Sequence, residues 1–342
     1  MVTRAIIIYV HLGSNPSPTL VHMALGASKS MEEASLMLVT DHVENFRGFP
    51  GQIIEYSENF RTEQFREFIR KNKELQGISG GYWLYTLERL FALQHVARNL
   101  PKGIPIIHFE SDVYSFLNIQ DVSELSNYYK GVAVPRIDHN TGIASIVFAP
   151  NQESLFNCMA TLMDVLTKNP NVKSDMSLLG QGLNLGILEE LWSRPGVDDR
   201  LNRPPIILDG AELGQYFFGA DPLHTGGILQ SGFTGQGTLI KFEELEFLLE
   251  GIPKSLYIKH LDERIKVGCI HNHAKRILIN PEDDPATWNR LLQEANREVV
   301  RVSEIAPLDL IHTRKVSVLN RIRRARKSNE NFLKYLLKKI TT

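Results

Sequence analysis

Hydrophobic and polar positions change their period along the chain, and the changes predict its elements. Ala5-Ile-Ile-Ile-Tyr-Val10 is a short, mostly β-branched apolar run closed by Gly13, which predicts a buried strand over 4–12. Asn15-Pro-Ser-Pro18 is turn chemistry, and a helical pattern follows over 19–30. Ala34 to Thr40 predicts a second buried strand ending at Asp41. A short strand over 52–56, a charged helix over 62–73 and a stronger helix over 80–99 come next, the last closed by Pro101. Ile104-Pro-Ile-Ile-His-Phe109 predicts a further buried strand running into Glu110-Ser111-Asp112.

Beyond it the pattern predicts a helix over 121–130 and paired strands over 131–137 and 142–149. Helices over 152–168 and 174–193 follow. Strands alternating with helices predict an α/β fold, a mainly parallel central sheet flanked by helices. Residues 214–237 break the pattern with seven glycines among Tyr216, Phe217, Phe218 and Phe233, the composition of a functional loop. Strands over 254–259 and 265–271 precede the break Pro281-Glu-Asp-Asp-Pro285 and a helix over 286–303. The chain is thus divided into a body, 1–280, and a helical C-terminal extension, 281–342.

Composition narrows the class. The 342 residues are 43% hydrophobic and 23% charged, which supplies a sizeable core and excludes global disorder. A net charge of −1 argues against a chain built to coat nucleic acid. The charge is uneven: between Arg314 and Lys339 ten side chains are basic and one, Glu330, is acidic. The tail 313–342 also carries Leu333, Leu336 and Leu337, which suits peripheral contact with an anionic membrane, packing on the body or a solvated basic helix equally. Cys158 and Cys269 stand far apart in no metal-like spacing, so a disulfide framework or zinc site is not expected and a reducing compartment is. No apolar stretch reaches membrane-spanning length, and no cleavage site follows the first apolar run, so a cytoplasmic location is expected.

Candidate chemistry begins with Glu110-Ser-Asp112. Ligands of open α/β sheets bind outside the carboxyl ends of strands. Two carboxylates at i and i+2 of an extended chain face one side, and a hard divalent cation bound by oxygen would offset their repulsion. Two surface acids at a loop start are the plainer alternative. Arg89 sits among apolar neighbours in Gly81-Tyr-Trp-Leu-Tyr-Thr-Leu-Glu-Arg-Leu-Phe91 and needs an anion, whether a ligand or merely Glu88. In Cys269-Ile-His271-Asn-His273-Ala-Lys275 an extended chain puts His271, His273 and Lys275 on one face, suiting metal and phosphate. Asp209 and Glu212 precede the glycine-rich loop, where Asp209 is equally a helix cap. Ser174-Asp175 likewise reads as a cap as readily as a catalytic group. P-loop, H-E-x-x-H and G-x-S-x-G signatures are absent.

The order of these parts resembles a GT-A glycosyltransferase. Leu87-Glu-Arg-Leu-Phe91, Leu100-Pro101 and Ile106-Ile-His-Phe-Glu-Ser-Asp112 are similar to the stretch around the D-x-D motif of the glycogenin and lipopolysaccharide galactosyltransferase family. The resemblance implies a Rossmann-like GT-A fold and transfer of a sugar from a nucleotide-diphosphate donor to an acceptor, with Mn2+ or Mg2+ as cofactor. It implies that Asp112 ligates the metal with His271 or His273, assisted by Glu110. Arg89 and Lys275 would hold the donor's phosphates, and Tyr9, His11 and Asp41 would lie by the nucleoside. Asp175, Asp209 and Glu212 are candidates for the base that an inverting enzyme needs. The sequence departs from the family pattern in the Glu at position 110, the compact His-x-His-x-Lys spacing and the lack of Pro-Trp after the Lys. A nucleotidyltransferase would need a basic glycine-rich turn after its first strand, and His11-Leu-Gly-Ser-Asn-Pro has no Lys or Arg. A non-catalytic protein docking through its basic tail is the other alternative.

Overall fold

The computed structural model describes residues 4–14, 17–77, 81–169, 172–193, 204, 206–210, 213–214, 245–251, 254–260, 263–272, 284 and 286–290. The chain opens with β1 (Ala5–His11), α1 (Pro18–Ser30), β2 (Ala34–Thr40) and β3 (Gln52–Glu55). Then come α2 (Glu63–Lys71), the short α3 (Glu74–Gly77), α4 (Tyr82–Ala97), β4 (Ile106–Phe109) and β5 (Val113–Ser115). After α5 (Ile119–Tyr128) lie β6 (Ala133–Asp138), β7 (Thr141–Gly142) and β8 (Ile146–Ala149), then α6 (Gln152–Lys168) and α7 (Asp175–Asn184). The described remainder holds β9 (Glu189–Leu191), β10 (Ile206–Leu208), β11 (Leu245–Glu250), β12 (Ser255–His260) and β13 (Glu263–His271).

The main sheet runs β3-β2-β1-β4-β8-β6-β7, with β9 beside β6. Its first four strands are parallel; β8 turns antiparallel to β4, and β6 pairs antiparallel with β8 and β7. Alternation along β1 explains why its apolar run is unbroken. Ala5, Ile7 and Tyr9 enter one core and Ile6, Ile8 and Val10 the other, so both faces are covered. α4, α6 and α7 supply the second core, while α1 and a second sheet close the first.

That second sheet, β10-β13-β12-β11 with β5 added to β13, was not foreseen as a sheet. β5 is three residues long, too short to carry a periodic signal. The helix expected over 174–193 stops at Asn184, because Gly186 takes φ +69° and the chain then extends into β9 alongside β6. Trp288 is buried edge-on against Tyr114 and Phe116, at 4.9 and 5.6 Å, so the chain past the expected boundary at 280 still packs on the body. The rest of the extension and the basic tail 313–342 lie outside the described residues.

Candidate active site

The site forms where β4 ends. Glu110 is anchored by its N–H, which donates to the Ser145 carbonyl at 2.9 Å, and the Val113 N–H returns to the Glu110 carbonyl at 3.3 Å. Residues 110–113 are therefore a turn rather than the extended chain expected, and the turn is what aims both carboxylates the same way. β5 leaves it antiparallel to β13, with Val113 opposite His271 and the Asn272 N–H donating to the Asp112 carbonyl at 2.7 Å. Two segments some 160 positions apart thus meet through backbone pairing.

His271 Nε2 lies 3.3 Å from Asp112 Oδ1 and 3.5 Å from Glu110 Oε2. One ligand atom from each of Glu110, Asp112 and His271 lies within 4.8 Å of the others, two oxygens and one imidazole nitrogen. That donor set suits Mn2+ or Mg2+, which accept carboxylate oxygen and leave positions for substrate. The charge balance fits as well, since Arg89 pairs with Glu110 and Asp175 and leaves Asp112 to His271. Without a metal, His271 answers the excess. Burial would lower its pKa, but Asp112 and then Glu110 outweigh burial and raise it to about 9.

The imidazole is oriented from behind. Its Nδ1 faces the Gly210 carbonyl at 3.0 Å, which fits an N–H at Nδ1 and turns Nε2 to the acids. Asp209, fully buried, accepts the N–H groups of Leu213, Gly214 and His271 at 3.0, 2.8 and 3.1 Å. It therefore splices the end of β10 to the end of β13. Its carboxylate is spent on three amides, two from the chain just after it and one from β13. Gly214 permits the splice, since a Cβ there would stand 1.7 Å from the His271 carbonyl oxygen.

Arg89 completes the cluster. α4 brings it beneath β4, where Nη1 binds Glu110 and Nη2 binds Asp175 Oδ2 at 2.9 Å. Its neighbour Glu88 instead pairs with Arg61, at 2.5 Å from Nε and 2.9 Å from Nη2. The sequence alternative of an Arg89–Glu88 pair is thus replaced by two separate buried pairs. Asp175 opens α7 behind the capping Ser174, whose side chain accepts from the Ser177 N–H at 3.2 Å. Burial raises the Asp175 pKa and Arg89 opposes the rise. Burial also acts upward on Glu110, but Arg89 and His271 together hold it below the usual carboxylate range.

The remaining candidates divide. His11 and Asp41 end β1 and β2, Asp41 accepting the Gly13 N–H at 2.9 Å and His11 meeting Phe46 edge-on at 5.1 Å. Tyr9 does not join them. It points to the same face of β1 as His11, two positions on, but its ring is buried between Phe49 and Phe109. Glu212, His273, Lys275 and positions 215–237 of the glycine-rich stretch lie outside the described residues. Sequence reasoning missed Tyr82, at the open end of α4, and the pairing of Arg89 with Asp175. The only available signal was the position of Tyr82 seven residues before Arg89, on the same helix face.

No family model and no curated protein matches the chain. Similar solved structures include apo mouse xyloside xylosyltransferase 1, at 13% identity over 55% of this chain and 85% of that one, TM-score 0.35. The apo glycosyltransferase GlyE of Streptococcus pneumoniae TIGR4 matches at 14% over 55% and 45%, TM-score 0.36. Galactosyltransferase LgtC in complex with donor and acceptor sugar analogs matches at 12% over 54% and 73%, TM-score 0.37. Likeness on this scale assigns neither family nor activity to the chain.

Proposed function

We propose that the chain is a metal-dependent glycosyltransferase that moves a sugar, a hexose in the first instance, from a nucleotide-diphosphate sugar to an acceptor. The observation that carries the reading is the meeting of Glu110, Asp112 and His271 at the carboxyl end of a parallel strand, with Arg89 buried beside them. Breaking the bond between a sugar and a diphosphate builds negative charge on the leaving phosphate. A divalent cation held by Glu110, Asp112 and His271 would stabilise that charge as a Lewis acid.

The chain's own groups do the rest. Asp209 and the Gly210 carbonyl fix the His271 ring. Arg89, steadied by Asp175, presents positive charge next to the acids and is placed to share a phosphate once Glu110 has another partner. His11 and Asp41 mark the nucleoside end, and His273 and Lys275 extend the proposed metal and phosphate set. Of the three candidate bases, Asp175 is paired with Arg89 and Asp209 with three amides, so neither is ready to take an acceptor proton. Glu212, the third, lies outside the described residues, and the lean to retention rests on the likeness of the 87–112 segment to the glycogenin family. The 214–237 stretch is proposed to cover the donor, and the tail 313–342 to contact an anionic membrane surface.

The test is a screen of nucleotide sugars for Mn2+-dependent hydrolysis, with the anomeric form of the released sugar followed by NMR. Hydrolysis of at least one donor, lost in Asp112→Ala, is expected. Failure of every donor to bind or react with metal present overturns the reading.

A further inference from the structure

On α4, positions 82, 86 and 89 fall at i, i+4 and i+7 and share one face. The stripe begins in solvent and ends in the cluster. Arg89 is held between Glu110 and Asp175, Thr86 is buried, and Tyr82 is 48% exposed. Loss of solvent and the charge of Glu110, with Asp175 and Asp112 behind it, raise the pKa of the Tyr82 hydroxyl. Tyr82 opens to solvent on the same helix face that carries Arg89 to Glu110 and Asp175. Trp83 meets the Tyr82 ring edge-on at 5.2 Å and braces it. One turn on, Tyr85 lies over Gly13 at the end of β1, its ring 3.5 Å from where a Cβ would stand. The two tyrosines thus stand a turn apart on α4, Tyr85 against the end of β1 and Tyr82 on the face shared with Arg89.

We propose that Tyr82 is the wall on which the transferred sugar ring of the donor stacks, with its hydroxyl turned to the sugar's hydroxyl groups. The assignment rests on the glycosyltransferase reading and gives it a specificity residue. A pyranose has a C–H face bordered by hydroxyls, and a phenol offers an apolar face with a polar tip. Position selects the sugar over the base. The group bonded directly to the diphosphate lies next to whatever Glu110, Asp112 and His271 hold, and Tyr82 shares its helix face with Arg89, which pairs with Glu110. Tyr85, three residues on, lies over Gly13 instead.

Calorimetric titration in the presence of Mn2+ separates the possibilities. UDP-glucose, UDP-galactose, UDP-N-acetylglucosamine and GDP-mannose are compared with UDP and GDP on wild type, Tyr82→Ala, Tyr82→Phe and Tyr128→Ala. Tyr128 is another exposed tyrosine, on α5, and serves as the control. In Tyr82→Ala the bound nucleotide sugar is expected to lose about tenfold in affinity while its nucleoside diphosphate stays within about twofold. Tyr82→Phe is expected to keep the stack and lose about threefold or less. Unchanged melting and Mn2+ affinity show that the variants keep the fold and the acid site. Equal loss for both ligand types would move Tyr82 to the nucleotide, and loss for neither would remove it from the site; each outcome overturns the assignment. Wild type that binds none of the six ligands overturns the glycosyltransferase reading itself, a result distinct from either.

Discussion

At the scale of single residues, His271 decides how the metal-free site behaves with pH. Its folded pKa of about 9 lies above the 6.5 of an unperturbed imidazole, so its contribution is fully present below roughly pH 6.5. That contribution fades as pH rises through about 9, and a shift of this size corresponds to on the order of 3 kcal/mol. Urea unfolding of the metal-free protein between roughly pH 6.5 and 9.5 is expected to show the decline, and His271→Ala to flatten it. A cation must displace the same proton, so apparent Mn2+ affinity is expected to rise with pH across this window. Asp112→Ala is expected to lower Mn2+ affinity by roughly a hundredfold or more, read by metal titration. The acids, Arg89 and His271 were legible in the sequence because each is an ionisable group beside an apolar run. The partnership of Arg89 with Asp175 was not, since it joins α4 to α7 across 86 positions and leaves no local pattern.

At the scale of elements, the site depends on a splice between two short strands. Asp209 holds β10 to β13 through three amides, and Asp209→Ala would leave buried N–H groups without an acceptor, at about 1–3 kcal/mol each. The expected outcome is a lower melting temperature together with a roughly 10- to 100-fold loss of metal affinity, because His271 loses its support. A general base acting by itself would instead lower the rate and leave metal binding intact, so calorimetry with Mn2+ separates the two roles. α7 offers a parallel case. A Cβ on Gly180 would stand 1.9 Å from the Asn140 carbonyl oxygen, so Gly180→Ala is expected to push the helix off β7 and disturb Asp175 at its start. Thermal melting and Mn2+ titration of that variant check both effects. The long elements were readable from periodicity, as α4 and α6 confirm. β5, β9 and β10 were not, because three residues cannot establish a period of two, and their strand character comes from tertiary pairing.

At the scale of the whole molecule, two sheets share one core, and the acid cluster sits where they join. Glu110 leaves the main sheet, Asp112 leads into β5 of the second sheet, and His271 closes β13, so a cation bound by all three would tie the sheets together. Among the described residues no helix is long and apolar enough to cross a membrane. Ligand bound only by the folded state stabilises it by RT ln(1 + [L]/Kd), about 2.7 kcal/mol at a hundredfold excess over Kd. For a chain of 342 residues that amounts to a rise of roughly 4 °C in melting temperature. Mn2+ and a nucleoside diphosphate should act together, because the diphosphate supplies ligands that the three protein groups leave open. Together they are therefore expected to raise the melting temperature by more than the two separate shifts combined, and scanning fluorimetry reads the difference. Asp112→Ala should abolish the excess and, below about pH 9, also lower the unliganded melt, because the His271 imidazolium loses its main counter-charge. Strictly additive shifts in wild type would mean that metal and diphosphate occupy separate places, and the junction would then be structural rather than the seat of transfer.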